Sequence, residues 1–498
     1  MLTKNLDIGS KLINFKERDM FLEELRDFID EDLIARQINM ADNPDSAKIR
    51  EIIAKARSIE RLEPEETAAL LNVKDPDLWD EIFKSAGEIK KTVYDNRIVT
   101  FAPLYISNYC VNNCLYCGFR SQSTASKRHQ LSQDDIKKEV KNLLQTGHKR
   151  IILVSGEHPC SGAEYLADSM KSIYDTKILR QGRESGIRRI NVNAAPMSIG
   201  DLRKIKEAGI GTYQVFQETY HRSSYSRVHL SGAKSDFRWR LYALHRAMEA
   251  GIDDVAVGAL FGLYDWRFEV MGLLYHAIDL EKRYGIGPHT VSFPRLNYAE
   301  GAEYKGDPSY KVNDEDFKKV VAVIRLSIPY SGMIVSAREP KAIRDEVLAL
   351  GCTQTDGSAQ IGIGGYTSEA EKSSSAGSKQ FELGDNRSLG QLIRDLAAKG
   401  TITSFCTAGY RCGRTGGKIM GLLKSGHEGK FCKLNAILTF KEWIEDFGDQ
   451  AMRDLGNQLI QKEFQEIERD DFYKGKRLVS LVKEYYQRIE KGERDLYI

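Results

Sequence analysis

Short apolar segments alternate with longer amphipathic segments from about residue 99 onward, and this alternation constrains the fold more than any other feature. The eight predicted strands are IVTFAPLYIS, RIILVSG, IRRINVN, TYQVFQE, DVAVGALFG, HTVSFPR, GMIVSAR and CTQTDGSA. Helical segments such as DDIKKEVKNLLQTG and SIGDLRKIKEAG follow most of them. Eight β-then-α units within about 260 residues predict an α/β fold, the TIM-type (β/α)8 barrel. A doubly wound open sheet is the structural alternative.

The two ends of the chain differ from this central region. Residues 1–98 carry apolar residues at helical spacing, which predicts an N-terminal helical extension before a barrel over residues 99–368. Residues 369–387 are rich in Ser, Gly and charge and predict a loop or linker. Residues 388–498 predict a C-terminal helical domain.

Composition and charge exclude several classes of function. Hydrophobic residues make up 41% and charged residues 29% of the chain, which is typical of a soluble globular protein. The net charge of +2 predicts no nucleic-acid and no membrane partner. No apolar run approaches the roughly 20 residues that span a bilayer, and the N-terminal residues lack a signal-peptide core. We therefore expect a cytoplasmic protein.

The eight cysteines are unevenly distributed, with three within residues 110–117 and three within residues 406–432. Such groups favour metal or iron–sulfur sites over a disulfide framework in a chain of this size. Cys110, Cys114 and Cys117 have the spacing C-x3-C-x2-C. Three thiolates on one short loop are expected to bind three irons of a [4Fe–4S] cluster, which leaves the fourth iron open to a small molecule.

An open iron is what radical S-adenosylmethionine (SAM) chemistry requires. The amino and carboxylate groups of SAM would chelate this iron, and reductive cleavage of the sulfonium would produce a 5′-deoxyadenosyl radical that abstracts hydrogen from substrate. The cysteine loop also follows the first predicted strand, and active sites of TIM barrels lie at the carboxyl ends of the strands. The competing interpretation is a zinc knuckle. Zinc needs a fourth ligand, and none is near in sequence, although His129 could fold back.

Several strings around these motifs carry a family resemblance. The most specific are CVNNCLYCGF, LVSGEHP, FQETYH, GLYDWRFEV, GPHTVSFPRL and SFCTAGYRCGRTG. From about residue 10 to about residue 470 the chain resembles the aromatic amino acid lyase branch of radical SAM enzymes, and most closely the HydG family of tyrosine lyases that mature [FeFe]-hydrogenase. Its similarity to the thiamine-pathway 2-iminoacetate synthases (ThiH) is looser.

The resemblance implies a lyase that uses a [4Fe–4S] cluster and SAM to cleave the Cα–Cβ bond of L-tyrosine into p-cresol and dehydroglycine. In the HydG family, dehydroglycine is broken down further to CO and cyanide at a second cluster. The implied partners are a reductant such as flavodoxin or ferredoxin and other hydrogenase maturation proteins. The implied barrel includes the biotin- and thiamine-synthesis-associated region.

Two alternatives to this function stay open. One is a 2-iminoacetate-type synthase, or another aromatic amino acid lyase, that makes neither CO nor cyanide. The other is a non-catalytic iron–sulfur scaffold or carrier, which would have no need of an open iron.

The resemblance also assigns residues to SAM. Gly156 and Glu157 end the second predicted strand, where the family holds the SAM amino group, and a carboxylate suits an ammonium. A helix N-cap region is the competing interpretation. Gly258 and Gly262 end the fifth strand and would let the backbone approach the adenine closely, although ordinary packing explains them equally well.

Substrate binding is expected near three strand ends. Arg338 ends a late strand, and its planar guanidinium suits two-point binding of the substrate carboxylate. Gln217 and Tyr220 lie at the end of the fourth strand and are further candidates for substrate contacts. Structural roles compete with these functional ones.

Three further residues are candidates for catalysis. Glu218 and Arg295 would complete, with Arg338, a charged pocket for a zwitterionic amino acid, although structural salt bridges explain each of them equally well. His276 has apolar neighbours in GLLYHAIDL, so a core histidine is the competing interpretation there.

The second group of cysteines departs from the family. The resemblance implies a C-x2-C pair and a third cysteine about two dozen residues later, but this chain has Gly409 at the second position and a new cysteine at 412. In one interpretation Cys406, Cys412 and Cys432 still bind a second cluster, on a non-helical segment around 406–413 that brings the sulfurs to one pocket at the far mouth of the barrel. In the other, the site is lost or altered.

Overall fold

A closed barrel of parallel strands forms the centre of the computed structural model, which describes residues 9, 11–42, 44–125, 127–367 and 379–498. In chain order the strands are β1 (Arg97–Ser107), β2 (Arg150–Ser155), β3 (Lys177–Arg180), β4 (Arg183–Gly186), β5 (Arg189–Asn193), β6 (Tyr213–Gln214), β7 (Val255–Gly258), β8 (Thr290–Ser292), β9 (Gly332–Val335), β10 (Gln354–Asp356) and β11 (Ile402–Ser404).

The barrel runs β1-β2-β5-β6-β7-β8-β9-β10, and the pairing of β10 with β1 closes it. Val99 lies opposite Gln354, and all barrel pairings are parallel. The predicted TIM-type barrel is therefore confirmed, because an open doubly wound sheet would leave β1 and β10 as separate edges. Both faces of the barrel strands are covered, and all eleven residues of β1 are buried.

Two strand pairings add to the barrel. β3 and β4 form a hairpin whose turn residues Gln181 and Gly182 both have positive φ, as the turns that match strand twist require. β11 pairs in parallel with the first residues of β1, where Val99 lies opposite Ser404. The segment after β11 therefore starts from the amino-terminal end of the barrel.

Helices surround the barrel and extend it at both ends. Those before β1 are Phe15–Asp19, Glu31–Met40, Ser46–Arg57, Pro64–Leu71 and Pro76–Tyr94. Those between β1 and β11 are Gln133–Gln145, Ala163–Asp175, Ile199–Glu207, Arg222–Val228, Phe237–Leu241, Ala243–Glu249, Trp266–Tyr284, Asp314–Ser327, Lys341–Leu350 and Leu389–Ala398. Those after β11 are Ala408–Arg411, Gly416–Lys424, Glu428–Phe447, Gln450–Arg469 and Leu478–Glu490.

The C-terminal helices cover the amino-terminal end of the barrel. Glu442, on helix Glu428–Phe447, forms buried ion pairs with Lys149 (2.6 Å) and Arg188 (2.5 Å). Lys149 directly precedes β2, and Arg188 directly precedes β5. Burial opposes ionisation of Glu442, but the two cations hold its pKa well below its usual range. This end of the barrel is thus closed, and the carboxyl ends of the strands remain for a site.

The segment predicted as a linker crosses the carboxyl-terminal mouth where it is described. Residues 369–378 of the predicted 369–387 lie outside the described residues. The Gly118 N–H donates to the Gln380 carbonyl (3.2 Å), and the Gly384 N–H donates to the Ala337 carbonyl (2.8 Å). No helix in the described ranges has the length and apolar character that crossing a membrane requires.

Candidate active site

A cavity of about 210 Å³ opens at the carboxyl ends of the barrel strands. Among the residues singled out from the sequence, those that line it are Cys110, Cys114, Cys117, Gly156, Glu157, Glu218 and Arg338. These residues come from β1, β2, the region after β6 and the region after β9, so only the closed barrel brings them together.

The loop that carries the three cysteines is fixed by backbone hydrogen bonds. The Val111 N–H donates to the Glu157 carbonyl (2.8 Å), and the Leu115 N–H donates to the Val228 carbonyl (2.9 Å). The Arg128 guanidinium donates to the carbonyls of Asn108 (2.7 Å) and Phe119 (2.8 Å). The loop is therefore anchored to the segment after β2, to the end of helix Arg222–Val228 and to the chain that follows the loop.

The three thiols fit a cluster better than a single ion. Among the described residues, their sulfurs do not form a set that lies within 4.8 Å of one another, whereas tetrahedral zinc would hold them about 3.8 Å apart. His129, the fourth ligand of the zinc interpretation, is exposed. Burial raises the pKa of Cys110 to about 11, so these sulfurs become thiolates when iron replaces the proton.

Glu157 offers a buried acceptor with no partner in the protein. Its Oε2 accepts a hydrogen bond from the Asn112 amide (2.6 Å), but its buried Oε1 accepts none among the described residues. Burial raises the pKa of this carboxyl group. An ammonium such as that of SAM would satisfy the free oxygen, so the residues present fit the expected cofactor.

Gly156 allows β2 to approach the cysteine loop. A Cβ at this position would lie 2.3 Å from the Tyr109 carbonyl oxygen, a distance that no side chain can occupy. The other two predicted SAM glycines do not line the cavity. A Cβ on Gly258 would meet the Phe216 ring at 2.5 Å, which indicates tight packing, and Gly262 lines a second cavity.

Arg338 is a half-buried cation that lines the cavity. Its Cζ lies 3.4 Å from the centroid of the Phe381 ring, and no carboxylate within the described chain is at salt-bridge distance from its guanidinium. Burial lowers its pKa. A half-buried guanidinium without an ion-pair partner favours an anionic ligand, because two parallel N–H groups match a carboxylate.

Glu218 faces the same cavity with two basic partners. Its Oε1 accepts from Lys234 Nζ (2.6 Å) and Arg240 Nη2 (3.3 Å). Burial acts to raise its pKa, but these cations lower it overall. Its φ of 72° lies in the left-handed region, which is uncommon for a residue other than glycine and is typical of functional sites.

Four predicted residues lie elsewhere. Arg295 pairs with Glu339 (3.0 Å between Nε and Oε2) and with Asp314 (2.9 Å), and it lines the second cavity. His276 Nδ1 is hydrogen-bonded to the Tyr220 hydroxyl (2.9 Å) in the apolar core, and burial lowers its pKa to about 3. Gln217 is buried outside the cavity lining.

Sequence reasoning missed several residues of the cavity. Lys234 and Arg240 belong to the string SGAKSDFRWR, whose basic residues could have indicated a charged site. Their pairing with Glu218 depends on the fold and could not be read from the sequence. Gln380 and Phe381 belong to the predicted linker, whose Ser-, Gly- and charge-rich composition gave no indication of a site. The Tyr105 hydroxyl donates to the Gln380 side-chain oxygen (2.9 Å) and holds this segment over the cavity.

Only two of the three cysteines in the second group, all of which lie in the described part of the chain, face a common cavity. Cys406 and Cys432 line a small cavity of about 10 Å³ at the amino-terminal end of the barrel, together with Gly409. Cys412 is exposed and does not line it, and Ala408–Arg411 is a helical turn. The predicted non-helical segment and the common pocket for three sulfurs are therefore both wrong.

The two converging thiols have protein partners. The Cys432 thiol donates to Glu428 Oε1 (2.8 Å), and Arg189 Nη1 lies 3.4 Å from Cys406 Sγ. The neighbouring Cys432 thiol and nearby arginines, acting against burial, hold the pKa of Cys406 well below its usual range. Two thiols do not supply the three thiolates that the implied second cluster needs.

Comparison with known proteins gives the family. Residues 104–270 match the family model of the Radical SAM superfamily, and residues 292–402 match that of the Biotin and Thiamin Synthesis associated domain. The 2-iminoacetate synthase of Salmonella typhimurium is 30% identical over 350 residues, which cover 70% of this chain and 88% of that enzyme.

Two solved structures are similar over nearly the whole chain. A crystal structure of HydG, a maturase of the [FeFe]-hydrogenase, has a TM-score of 0.88 and 45% identity and covers 95% of this chain and 100% of its own. HydG from Carboxydothermus hydrogenoformans has a TM-score of 0.77 and 37% identity, with 91% and 98% coverage. The barrel and the three-cysteine loop at its mouth define a radical SAM enzyme. Within that class, the chain belongs to the lyase family that includes HydG and 2-iminoacetate synthase.

Proposed function

We propose that this enzyme cleaves the Cα–Cβ bond of L-tyrosine and releases p-cresol and dehydroglycine. The observation that carries the proposal is Arg338, a half-buried guanidinium without an acid partner in the described chain, in the same cavity as the three cysteines. An amino acid substrate supplies the missing carboxylate. The similarity to HydG and to 2-iminoacetate synthase supports this substrate class.

In this proposal Cys110, Cys114 and Cys117 bind a [4Fe–4S] cluster, and Glu157 binds the amino group of SAM. Bound together, the cluster and SAM supply a 5′-deoxyadenosyl radical that abstracts hydrogen from the substrate. The residues of the chain position the reactants. A two-point contact with Arg338 fixes the substrate carboxylate, and Phe381 excludes water from one face of that guanidinium.

Glu218 is the proposed partner of the substrate amino group. Lys234 and Arg240 keep its carboxylate ionised, so Glu218 can accept a hydrogen bond from an amine at neutral pH. Arg295 and His276 have protein partners of their own, and in this proposal they support the barrel and make no contact with the substrate.

Electrons must enter from outside, and we propose a flavodoxin- or ferredoxin-type reductant, in the cytoplasm. Other hydrogenase maturation proteins are proposed partners in line with the similarity to HydG. A scaffold or carrier function would leave both the free oxygen of Glu157 and the guanidinium of Arg338 without a purpose.

Anaerobic reconstitution with iron, sulfide, SAM, dithionite and L-tyrosine tests the proposal. We expect p-cresol and 5′-deoxyadenosine in equal amounts. The matched control replaces L-tyrosine with L-phenylalanine or L-tryptophan. Formation of 5′-deoxyadenosine with no p-cresol, or an aromatic product from another amino acid, would reject L-tyrosine as the substrate. Absence of 5′-deoxyadenosine under all conditions would favour the scaffold.

A further inference from the structure

We infer that this chain does not bind a second cluster at the amino-terminal end of its barrel, because position 409 lacks a thiolate, and that its product is dehydroglycine. The second part of the inference rests on the proposed function; the first part does not. The evidence is that Cys406, Gly409 and Cys432 line the small cavity, whereas Cys412 is exposed outside it.

Cys412 cannot replace the missing ligand without unfolding its surroundings. It is exposed and ends the helical turn Ala408–Arg411, which is held by hydrogen bonds from the Cys412 N–H to the Ala408 carbonyl (3.0 Å) and from the Arg414 N–H to the Gly409 carbonyl (2.8 Å). Turning Cys412 toward the cavity would break this turn.

The two cysteines that do face the cavity are satisfied within the protein. The Cys432 thiol donates to Glu428, which lies one turn before it on the same helix. The Arg189 guanidinium contacts both the sulfur and the carbonyl oxygen of Cys406. The described residues around the cavity include no other cysteine or histidine. A cluster with two protein thiolates would lack the three-point attachment that the cysteine loop at the other mouth offers.

Gly409 marks the place of the missing thiolate. It lines the cavity with Cys406 and Cys432, and its φ is not positive, so any residue can adopt its backbone conformation. A Cβ built there would meet only the Arg414 carbonyl oxygen, at an ordinary contact distance of 3.7 Å. A cysteine at this position would therefore fit without moving the backbone and would complete a set of three thiols.

The consequence for the product follows from its chemistry. Dehydroglycine is an imine, HN=CH–COO⁻. Without a second metal site to act on it, water adds to the C=N carbon, and collapse of the adduct breaks the C–N bond and gives glyoxylate and ammonia. This hydrolysis balances without an oxidant or a reductant.

Iron binding tests the first part directly. The protein with Cys110, Cys114 and Cys117 all changed to Ala reports only on the amino-terminal end of the barrel. After anaerobic reconstitution and desalting, we expect almost no iron in this variant. Adding Gly409→Cys should bring about four irons per chain and the EPR signal of a reduced [4Fe–4S] cluster.

Matched variants control for folding and for stray thiols. Gly409→Ser has nearly the size of Gly409→Cys but no thiolate, so it should bind no iron. Cys412→Ser should not change the iron content of the Gly409→Cys protein, whereas Cys406→Ala should abolish it. The Tm of each variant shows that it is folded.

Two results would overturn the inference. If the triple-alanine protein already binds a cluster that Cys406→Ala removes, the site is intact in the natural chain. If folded Gly409→Cys binds no more iron than Gly409→Ser, position 409 is not the missing ligand. For the second part, turnover with tyrosine should give p-cresol and glyoxylate in equal amounts, without CO or cyanide. CO or cyanide in amounts comparable to p-cresol would overturn the product assignment, whereas lack of p-cresol would reject the proposed function and leave the iron result standing.

Discussion

The guanidinium of Arg338 lies 3.4 Å from the ring centroid of Phe381, and this contact joins a barrel strand end to the segment that crosses the cavity mouth. The ring covers one face of the guanidinium and leaves its N–H edge free toward the cavity. A cation held in this way is partly desolvated, so its contact with an anionic ligand is stronger than it would be in water.

The first prediction concerns this cation. Arg338→Lys should raise the KM for tyrosine by about 10- to 100-fold, because a lysine replaces a two-point contact by a point charge, and a charged hydrogen bond contributes about 1.5–3 kcal/mol. SAM cleavage without substrate should change little. Steady-state kinetics of p-cresol formation measure the effect. Arg295→Lys, in the neighbouring cavity, is the control and should leave KM nearly unchanged; equal KM values for both variants would remove Arg338 from the substrate site.

The second prediction concerns the cysteine loop. Changing Cys110, Cys114 or Cys117 singly to Ala should reduce 5′-deoxyadenosine formation to background, because a cluster with two anchors is unstable or misplaced. Cys160→Ser is the matched control, since Cys160 is exposed and lies outside the cavity lining. Quantifying 5′-deoxyadenosine by chromatography gives the readout. Normal amounts in the triple variant would contradict the assignment of the loop.

The third prediction concerns SAM. Glu157→Gln keeps the shape and the hydrogen bond with Asn112 but removes the charge that an ammonium requires. We expect the Kd for SAM to increase about 10- to 100-fold, which corresponds to a charged hydrogen bond of about 1.5–3 kcal/mol. Equilibrium binding of SAM to the reconstituted protein measures this. Glu164→Gln, an exposed change nearby in sequence, should have no effect, and an unchanged Kd in Glu157→Gln would exclude the proposed contact.

The fourth prediction concerns pH and the joint between the barrel and the C-terminal helices. The pKa of Glu442 is lower in the folded protein than in the unfolded chain, so its contribution to stability is present above about pH 4.3 and is lost as pH falls below that value. Glu442→Gln should lower the Tm by about 3–5 °C at pH 7, because it leaves two cations buried without a partner.

Thermal unfolding followed by circular dichroism at a series of pH values checks this expectation. The difference in Tm between the natural protein and Glu442→Gln should shrink as the pH falls below about 4. Glu445→Gln is the control on the same helix, because Glu445 is more exposed and pairs with Lys441, its neighbour on that helix. A difference in Tm that does not depend on pH would show that the ion pairs with Glu442 do not stabilise the fold.

Features that depend on neighbours along the chain were determined by the sequence itself. The alternation of strands and helices predicted the barrel, because a parallel strand buried on both faces needs a continuous apolar run and a helix to return the chain. Cys110, Cys114 and Cys117 lie within eight positions, so any loop there brings their thiols near one another. Glu157 could be placed at the cavity because it directly follows a strand.

Features that depend on contacts between distant segments were decided only by the tertiary structure. The sequence does not show which of Arg295 and Arg338 forms an ion pair within the protein. In the structure Arg295 pairs with Glu339, and Arg338 faces the cavity. Phe381 reaches Arg338 only because the chain crosses the mouth of the closed barrel. The helical turn Ala408–Arg411 turns Cys412 outward. The spacing between Cys406 and Cys412 could not predict this, because spacing limits only how far a side chain can reach, whereas its direction depends on the local backbone conformation.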